Sequence, residues 1–191
     1  MLKHSFIKKY PPQAKALFQD VTSWDDFNKN LHTIAEELKL WYKYEDTLGD
    51  GMEVLVEGLI LLTENNILVG ISNYEPYPIH NDYGVDGVGY NIEGEKSVVQ
   101  IKYRIDPTVW LTRNNDNLGA FIEQGLLRES IINSDIGKAP RHYIFTSAAG
   151  VARKTMEETW NNANIKVYGI GDIKKLIDGH TNFWKNFIEL I

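Results

Sequence analysis

Two strand-forming runs that meet at a turn, followed by helix and strand patterns in alternation, constrain this 191-residue chain more than any other feature. Val85 to Tyr90 and Ser97 to Tyr103 are rich in β-branched and aromatic residues. Glu93-Gly94-Glu95-Lys96 between them has turn chemistry, so residues 85–103 read as a hairpin. Leu118 to Ile132 then carries apolar residues on one side of a helix, and His142 to Thr146 is a strand. Gly150 to Asn162 reads as a helix, Ile165 to Ile170 as a strand, and Asp172 caps a short helix ending at Ile177. A hairpin continued by helix and strand alternation belongs to the α/β class, with a central mixed β-sheet flanked by helices. No repeat, low-complexity tract or long linker divides the chain.

The N-terminal part is helical in pattern. Pro11-Pro12 separates a short basic leader from Ser23, a candidate N-cap with Asp26 three residues on. Phe27, Leu31, Ile34, Leu38 and Trp41 recur at spacings of three and four, which predicts one buried stripe. Asp46 to Gly51 reads as a turn, and Met52, Leu55, Val56, Leu59, Ile60 and Leu62 predict a second helix that Asn65-Asn66 ends. Glu53 and Glu57 share a face of it. Ile67 to Tyr74 predicts a strand, closed by the proline-containing loop through Pro78. The expected organisation is an N-terminal helical extension over residues 1–48, packed on an α/β domain over residues 49–191.

Composition removes several chemistries. The chain has no cysteine, which excludes disulfides, thiolate zinc sites, iron–sulfur clusters and a cysteine nucleophile. A metal must then sit on oxygen or imidazole, and none of the five histidines is spaced i, i+4 with another, which argues against a helical zinc motif. No apolar run approaches the ~20 residues of a membrane span, and the first nine residues lack the hydrophobic segment of a secretion signal. A cytoplasmic protein with no membrane partner is expected. The net charge of -6 argues weakly against nucleic acid, but its distribution does not. Residues 1–95 carry seven lysines against sixteen acids, whereas residues 96–175 carry twelve basic residues, including every arginine, against eight acids.

One constellation carries chemistry. Asp86 is followed by thirteen residues and then by Gln100-Ile101-Lys102 on the next strand. Alternation places Gln100 and Lys102 on one face, about 6.7 Å apart, with Ile101 turned toward the core. The hairpin brings Asp86 close to that face, and the preceding helix can add Glu53 or Glu57 from the side. Carboxylate, amide oxygen and a lysine form the set that metal-assisted phosphodiester hydrolysis needs. Hard oxygens hold Mg²⁺, and the lysine stabilises charge or orients the nucleophile. Arg104, Arg113 and Arg141 are candidates for contacts to phosphate. Ser147 reads as the N-cap of the following helix, and Gly169-Ile170-Gly171 as a turn.

Asp86, Gln100-x-Lys102 and a helical glutamate resemble the PD-(D/E)xK nuclease superfamily, and within it the Mrr-like restriction endonuclease branch, where glutamine often replaces the second acid. Gly49-Asp50-Gly51-Met52-Glu53-Val54-Leu55-Val56 resembles the family's helix opening, and Asp82-Tyr83-Gly84-Val85-Asp86-Gly87 its glycine-rich approach to the catalytic aspartate. Tyr143 to Ser147, the helix after it and Ile165 to Tyr168 resemble its closing strand-helix-strand unit. The resemblance spans about residues 49–178 and implies a restriction-endonuclease-like core. It departs from the superfamily pattern at Val85, where proline is usual, and at Gln100, which removes a negative charge from the metal site.

The implied activity is that of a Mg²⁺-dependent endodeoxyribonuclease, with Mn²⁺ substituting. Asp86 and Gln100 ligate the metal, Glu53, favoured over Glu57 by the family register, supplies a further ligand or activates water, and Lys102 supports the attacking water or leaving group. DNA is the implied partner, and cutting both strands implies a homodimer. Two other readings follow from the same residues: a nuclease-fold binding or regulatory protein without turnover, and a subunit docking a helicase or translocase through Trp24, Phe27 and Trp41.

Overall fold

The computed structural model describes residues 1–64, 68–78, 84–132, 137–160 and 164–191, with 158–160 described by their backbone. Helices α1 (Ser5–Lys9), α2 (Pro11–Leu17), α3 (Trp24–Leu38) and α4 (Tyr44–Thr63) come first. Ser23 caps α3 as its sequence suggests, accepting from the Asp26 N–H at 3.2 Å, while Asp26 accepts from both the Ser23 and Thr22 hydroxyls at 2.8 Å. Phe27, Leu31, Ile34 and Leu38 form the buried stripe. Trp41 does not extend it. The helix ends at Leu38, the chain turns with the Trp41 and Tyr42 N–H groups on the Leu38 carbonyl, and Trp41 is left 75% exposed beside Leu40. Trp24 is half-buried.

The turn expected at Asp46–Gly51 is helix instead. Its glycines serve close packing rather than chain reversal: a Cβ on Gly51 would lie 2.3 Å from Leu31 Cδ1, and one on Gly58 would lie 2.0 Å from Phe187 Cε2. α4 is thus approached closely on two sides and is buried around most of its circumference, as a central helix must be. The boundary drawn after residue 48 falls inside it, and Asn65-Asn66 lie outside the described residues.

Strands β1 (Ile71–Pro76), β2 (Gly87–Asn91), β3 (Lys96–Lys102), β5 (His142–Thr146) and β7 (Ile165–Tyr168) form one sheet in the order β1-β2-β3-β5-β7. β1, β2 and β3 are antiparallel neighbours, and β3, β5 and β7 run parallel. The sheet is mixed and flanked by helices, as the alternation of elements requires. Pro76 closes β1 rather than opening a loop, which an edge strand tolerates. β4 (Trp110–Leu111) and β6 (Gly150–Val151) make a separate parallel pair, so the helix expected from Gly150 begins only at Arg153 as α6 (Arg153–Trp160). α5 (Leu118–Glu129), α7 (Ile170–Gly179) and α8 (Phe183–Ile188) complete the chain. Gly169, not Asp172, is the N-cap of α7, and Asp172 reaches back to accept the Gly169 N–H at 3.2 Å. Among the described residues no helix is long and apolar enough to cross a membrane.

The alternation in β3 divides the core. Val99 and Ile101 join Tyr143, Phe145 and Tyr168 in a cluster with α4 and the N-terminal helices, whereas Val98 joins Ile144 in a cluster with Leu118 and Phe121 of α5. His142 belongs to the second side. Its ring lies edge-on to Phe121 at 5.5 Å, a Cβ on Gly125 would sit 3.0 Å from its Nε2, and neither ring nitrogen has a hydrogen-bond partner among the described residues. Burial, with Arg141 adding to it, pushes this imidazole down to about 4. The unfolded chain therefore binds a proton near pH 6.5 that the native chain refuses, and stability falls as the pH drops from about 6.5 to about 4. The expected loss from this group is about 3 kcal/mol. Urea denaturation of wild type and His142→Leu at pH 7.5 and 4.5 checks it: the variant loses less over that interval, and parallel losses would refute it.

Candidate active site

A cleft of about 850 Å³ opens where the C-terminal end of β3 meets α4. Glu53, Asp86 and Lys102 all line it. They arrive from a helix, the residue that precedes β2 and the end of β3, and the register explains why. Gly87 pairs with Val99, so Asp86, one residue earlier, stands opposite Gln100, and Lys102 follows two residues on along the same face. Asp86 is buried and accepts the Ile101 N–H at Oδ2, which fixes its carboxylate against β3. Gln100 is fully buried, does not line the cleft, and neither atom of its side-chain amide has a partner among the described residues.

The end of β3 is held from both sides. Thr146 Oγ1 donates to the Lys102 carbonyl at 2.8 Å, the Arg104 N–H donates to Ser147 Oγ at 2.6 Å, and that hydroxyl donates back to the Arg104 carbonyl at 2.8 Å. Ser147 is therefore a clamp between strands rather than the helix cap its position suggests. From α3, Asn28 accepts the Tyr103 hydroxyl at 2.7 Å and His32 Nε2 lies 2.9 Å from the same oxygen. Burial pushes the Tyr103 phenol up to about 12.

The two helical glutamates have different work. Glu57 is buried and accepts the backbone N–H groups of Lys3 and His4, tying the leader across α4. Burial raises its pKa while these bonds oppose the rise. Glu53 faces the cleft, and its Oε2 lies 2.9 Å from His4 Nε2. Asp50, one turn earlier on α4, lines the cleft too; burial raises its carboxyl to about 6, against the pull of His4 and Tyr42. His4 is itself buried, which lowers its pKa, while the charges of Asp50, Glu57 and Asp86 oppose that.

The three arginines fare differently. Arg104 lines the cleft and is ion-paired with the buried Asp116. Arg113 is exposed and is not among the residues lining the cleft. Arg141 donates from Nε to the Lys96 carbonyl at 3.1 Å, at the opposite end of β3 from Lys102, and lies outside the cleft. Asp82 and Tyr83, part of the approach to Asp86, lie outside the described residues.

No family model matches the chain, and no curated protein matches it. Among solved structures, it aligns with the MspJI restriction endonuclease in complex with a 27-mer oligonucleotide, at 14% identity and a TM-score of 0.46. The alignment covers 90% of this chain and 36% of that one, so the chain spans about a third of the length of that structure's chain.

The cleft wall is acidic on balance. Glu45, Asp46, Asp50, Glu53, Asp86 and Asp116 face Lys102 and Arg104. Such a lining repels a phosphodiester unless a cation intervenes, and clustered carboxylates are the donors that hard divalent cations take. Asp50 and His4 escape the sequence reading for separate reasons. The Asp50, Glu53, Glu57 spacing of three and four would find Asp50, but the glycines on either side of it imitate a turn. His4 is a single residue in the leader whose position only the tertiary fold reveals.

Proposed function

We propose that this protein is a divalent-metal-dependent DNA endonuclease with a restriction-endonuclease-like core. The observation that carries the reading is the convergence of Glu53 from α4, Asp86 from just before β2 and Lys102 from the end of β3 on one cleft of about 850 Å³. The donors fit a hard cation: the carboxylates of buried Asp86 and half-buried Glu53 line the same cleft. Asp86 and Glu53 would hold Mg²⁺, or Mn²⁺ in its place, without Gln100, which is fully buried and outside the cleft lining. Bound there, the ion supplies an acidified water and charge neutralisation for the phosphate. The residues do the remainder. Glu53 accepts a proton from the attacking water as its oxygen bonds to phosphorus and one ester P–O bond breaks, and the departing alkoxide takes a proton from solvent. Lys102 sets a positive charge against the non-bridging oxygens of the pentacoordinate phosphorus, and the Thr146 and Ser147 clamp keeps Lys102 from swinging out of register. Double-strand cleavage requires two such clefts, which a homodimer provides.

A DNA-binding module without turnover is the second reading, and the burial of Gln100 away from the cleft favours it. The two separate in one assay. Wild type nicks supercoiled plasmid with Mg²⁺ or Mn²⁺ and not with EDTA, and Lys102→Ala slows nicking by about 10- to 100-fold, which is about 1.4 to 2.7 kcal/mol in the barrier. Salt-dependent DNA binding by wild type with no nicking under either metal, or equal rates for wild type and Lys102→Ala, overturns the hydrolytic assignment.

A further inference from the structure

The leader and α4 build a second arrangement beside the one just described. A ring nitrogen of His4, an Asp50 carboxylate oxygen and a Glu53 carboxylate oxygen lie within 4.8 Å of one another. This is more than a cluster of acids. His4 is 1% and Asp50 6% exposed, and although Tyr42 neighbours the Asp50 carboxyl, its Oδ2 has no hydrogen-bond partner among the described residues and is shut away from solvent. A buried carboxylate oxygen left in that condition costs free energy unless something positive meets it. No lysine or arginine is ion-paired with Asp50 among the described residues.

The geometry points to a second divalent-cation site, held by His4, Asp50 and Glu53 and selective for a transition cation such as Mn²⁺ over Mg²⁺. His4 Nε2 and Glu53 Oε2 are 2.9 Å apart, which is the span of two neighbouring ligands that each sit about 2.1 Å from one cation. One imidazole with two carboxylates is a softer set than the all-oxygen shell Mg²⁺ requires, and that difference sets the selectivity. The site is rigid. Glu57 binds the N–H groups of Lys3 and His4, and the Leu2 N–H donates to the Leu190 carbonyl at 3.0 Å, so His4 is fixed on α4 by its own backbone. His4 Nδ1 accepts the Phe6 N–H at 3.3 Å, which places the ring proton on Nε2 facing Glu53. Seating the cation moves that proton to Nδ1 and gives up this long bond, so the Phe6 amide is the reporter of occupancy.

The site adds His4 and Asp50 to Glu53, which it shares with the proposed nuclease centre, and is tested by binding rather than cleavage. Mn²⁺ alone is titrated into the full chain, with free ion read by electron paramagnetic resonance and the His4 ring and Phe6 amide followed by NMR. Wild type binds two Mn²⁺ and Asp86→Asn one. In the Asp86→Asn protein the remaining Mn²⁺ broadens His4 and Phe6 before the other histidines, and Mg²⁺ at equal concentration does not displace it. His4→Gln, which keeps a donor for Glu53, and Asp50→Asn each weaken that remaining site by at least 10-fold while both proteins retain wild-type circular dichroism. Mn²⁺ uptake by Asp86→Asn that is unchanged in His4→Gln and Asp50→Asn overturns the site, as does wild type that binds none. Loss of plasmid nicking without loss of this uptake removes the nuclease reading and leaves the site standing.

Discussion

On the nuclease reading, Asp86→Asn is expected to nick supercoiled plasmid at least about 100-fold more slowly than wild type at saturating Mg²⁺, a loss of about 2.7 kcal/mol or more of transition-state stabilisation. The asparagine is chosen for what it keeps. Asp86 Oδ2 accepts the Ile101 N–H inside the protein, and alanine in its place would orphan that donor, at about 1 to 3 kcal/mol of stability. Asparagine retains an acceptor oxygen and removes only the charge. A large drop in rate with an unshifted melting temperature then belongs to the cleft's chemistry rather than to unfolding. Asp86→Ala loses cleavage to the same degree and melts lower. Nicking by Asp86→Asn within about threefold of wild type sinks the assignment of hydrolysis to this cleft.

The acid-rich lining sharpens this expectation. With Asp50, Glu53 and Asp86 gathered on one wall, removal of any single charge lowers cation affinity, so part of the lost rate at low Mg²⁺ is recovered at high Mg²⁺. The part that persists at saturation measures how far Asp86 acts on the reacting phosphate through its position rather than through occupancy. Glu57, whose carboxylate is committed to the leader's backbone, belongs to a different category of residue: its loss shows in stability before it shows in rate.

The hairpin and the closing strand-helix-strand unit were legible because a strand buried on one or both faces has to advertise its period. Val98, Val99 and Ile101 bracket Gln100 in a pattern that a one-residue slip would invert, and the register follows from it. The convergence of Asp86 and Lys102 was legible for the same reason, since a hairpin converts sequence order into distance. What sequence reasoning misplaced was governed by packing partners far along the chain. Gly51 and Gly58 look like helix breakers until Leu31 and Phe187 are seen lying against them. Trp41 continues the helical spacing of α3 but falls after the turn that ends it. His4 and Glu53 meet across 49 residues with no periodicity to announce them. Gln100 stands opposite Asp86 as expected yet is fully buried and does not line the cleft, because strand alternation fixes a direction and not a depth.

α8, which the sequence pattern does not mark as an element of its own, carries the largest expected effect on stability. Phe187 is fully buried, stacks on Phe18 at a centroid distance of 4.1 Å, and fills the groove left by Gly58 on α4. Phe187→Ala removes a fully packed aromatic ring, and about 3 to 5 kcal/mol of unfolding free energy goes with it. Ile188→Ala, on the exposed side of the same helix at 41% exposure, changes stability by less than about 1 kcal/mol and controls for helix propensity. Gly58→Ala supplies the converse test. Its new methyl would lie 2.0 Å from Phe187 Cε2, an overlap expected to destabilise by about 1 to 3 kcal/mol in the wild-type protein. In the Phe187→Ala background the same methyl enters the vacated space and is neutral or stabilising, so the two substitutions couple strongly in a double-mutant cycle. Additive effects by urea denaturation at pH 7.5 would mean that the ring and the glycine do not meet.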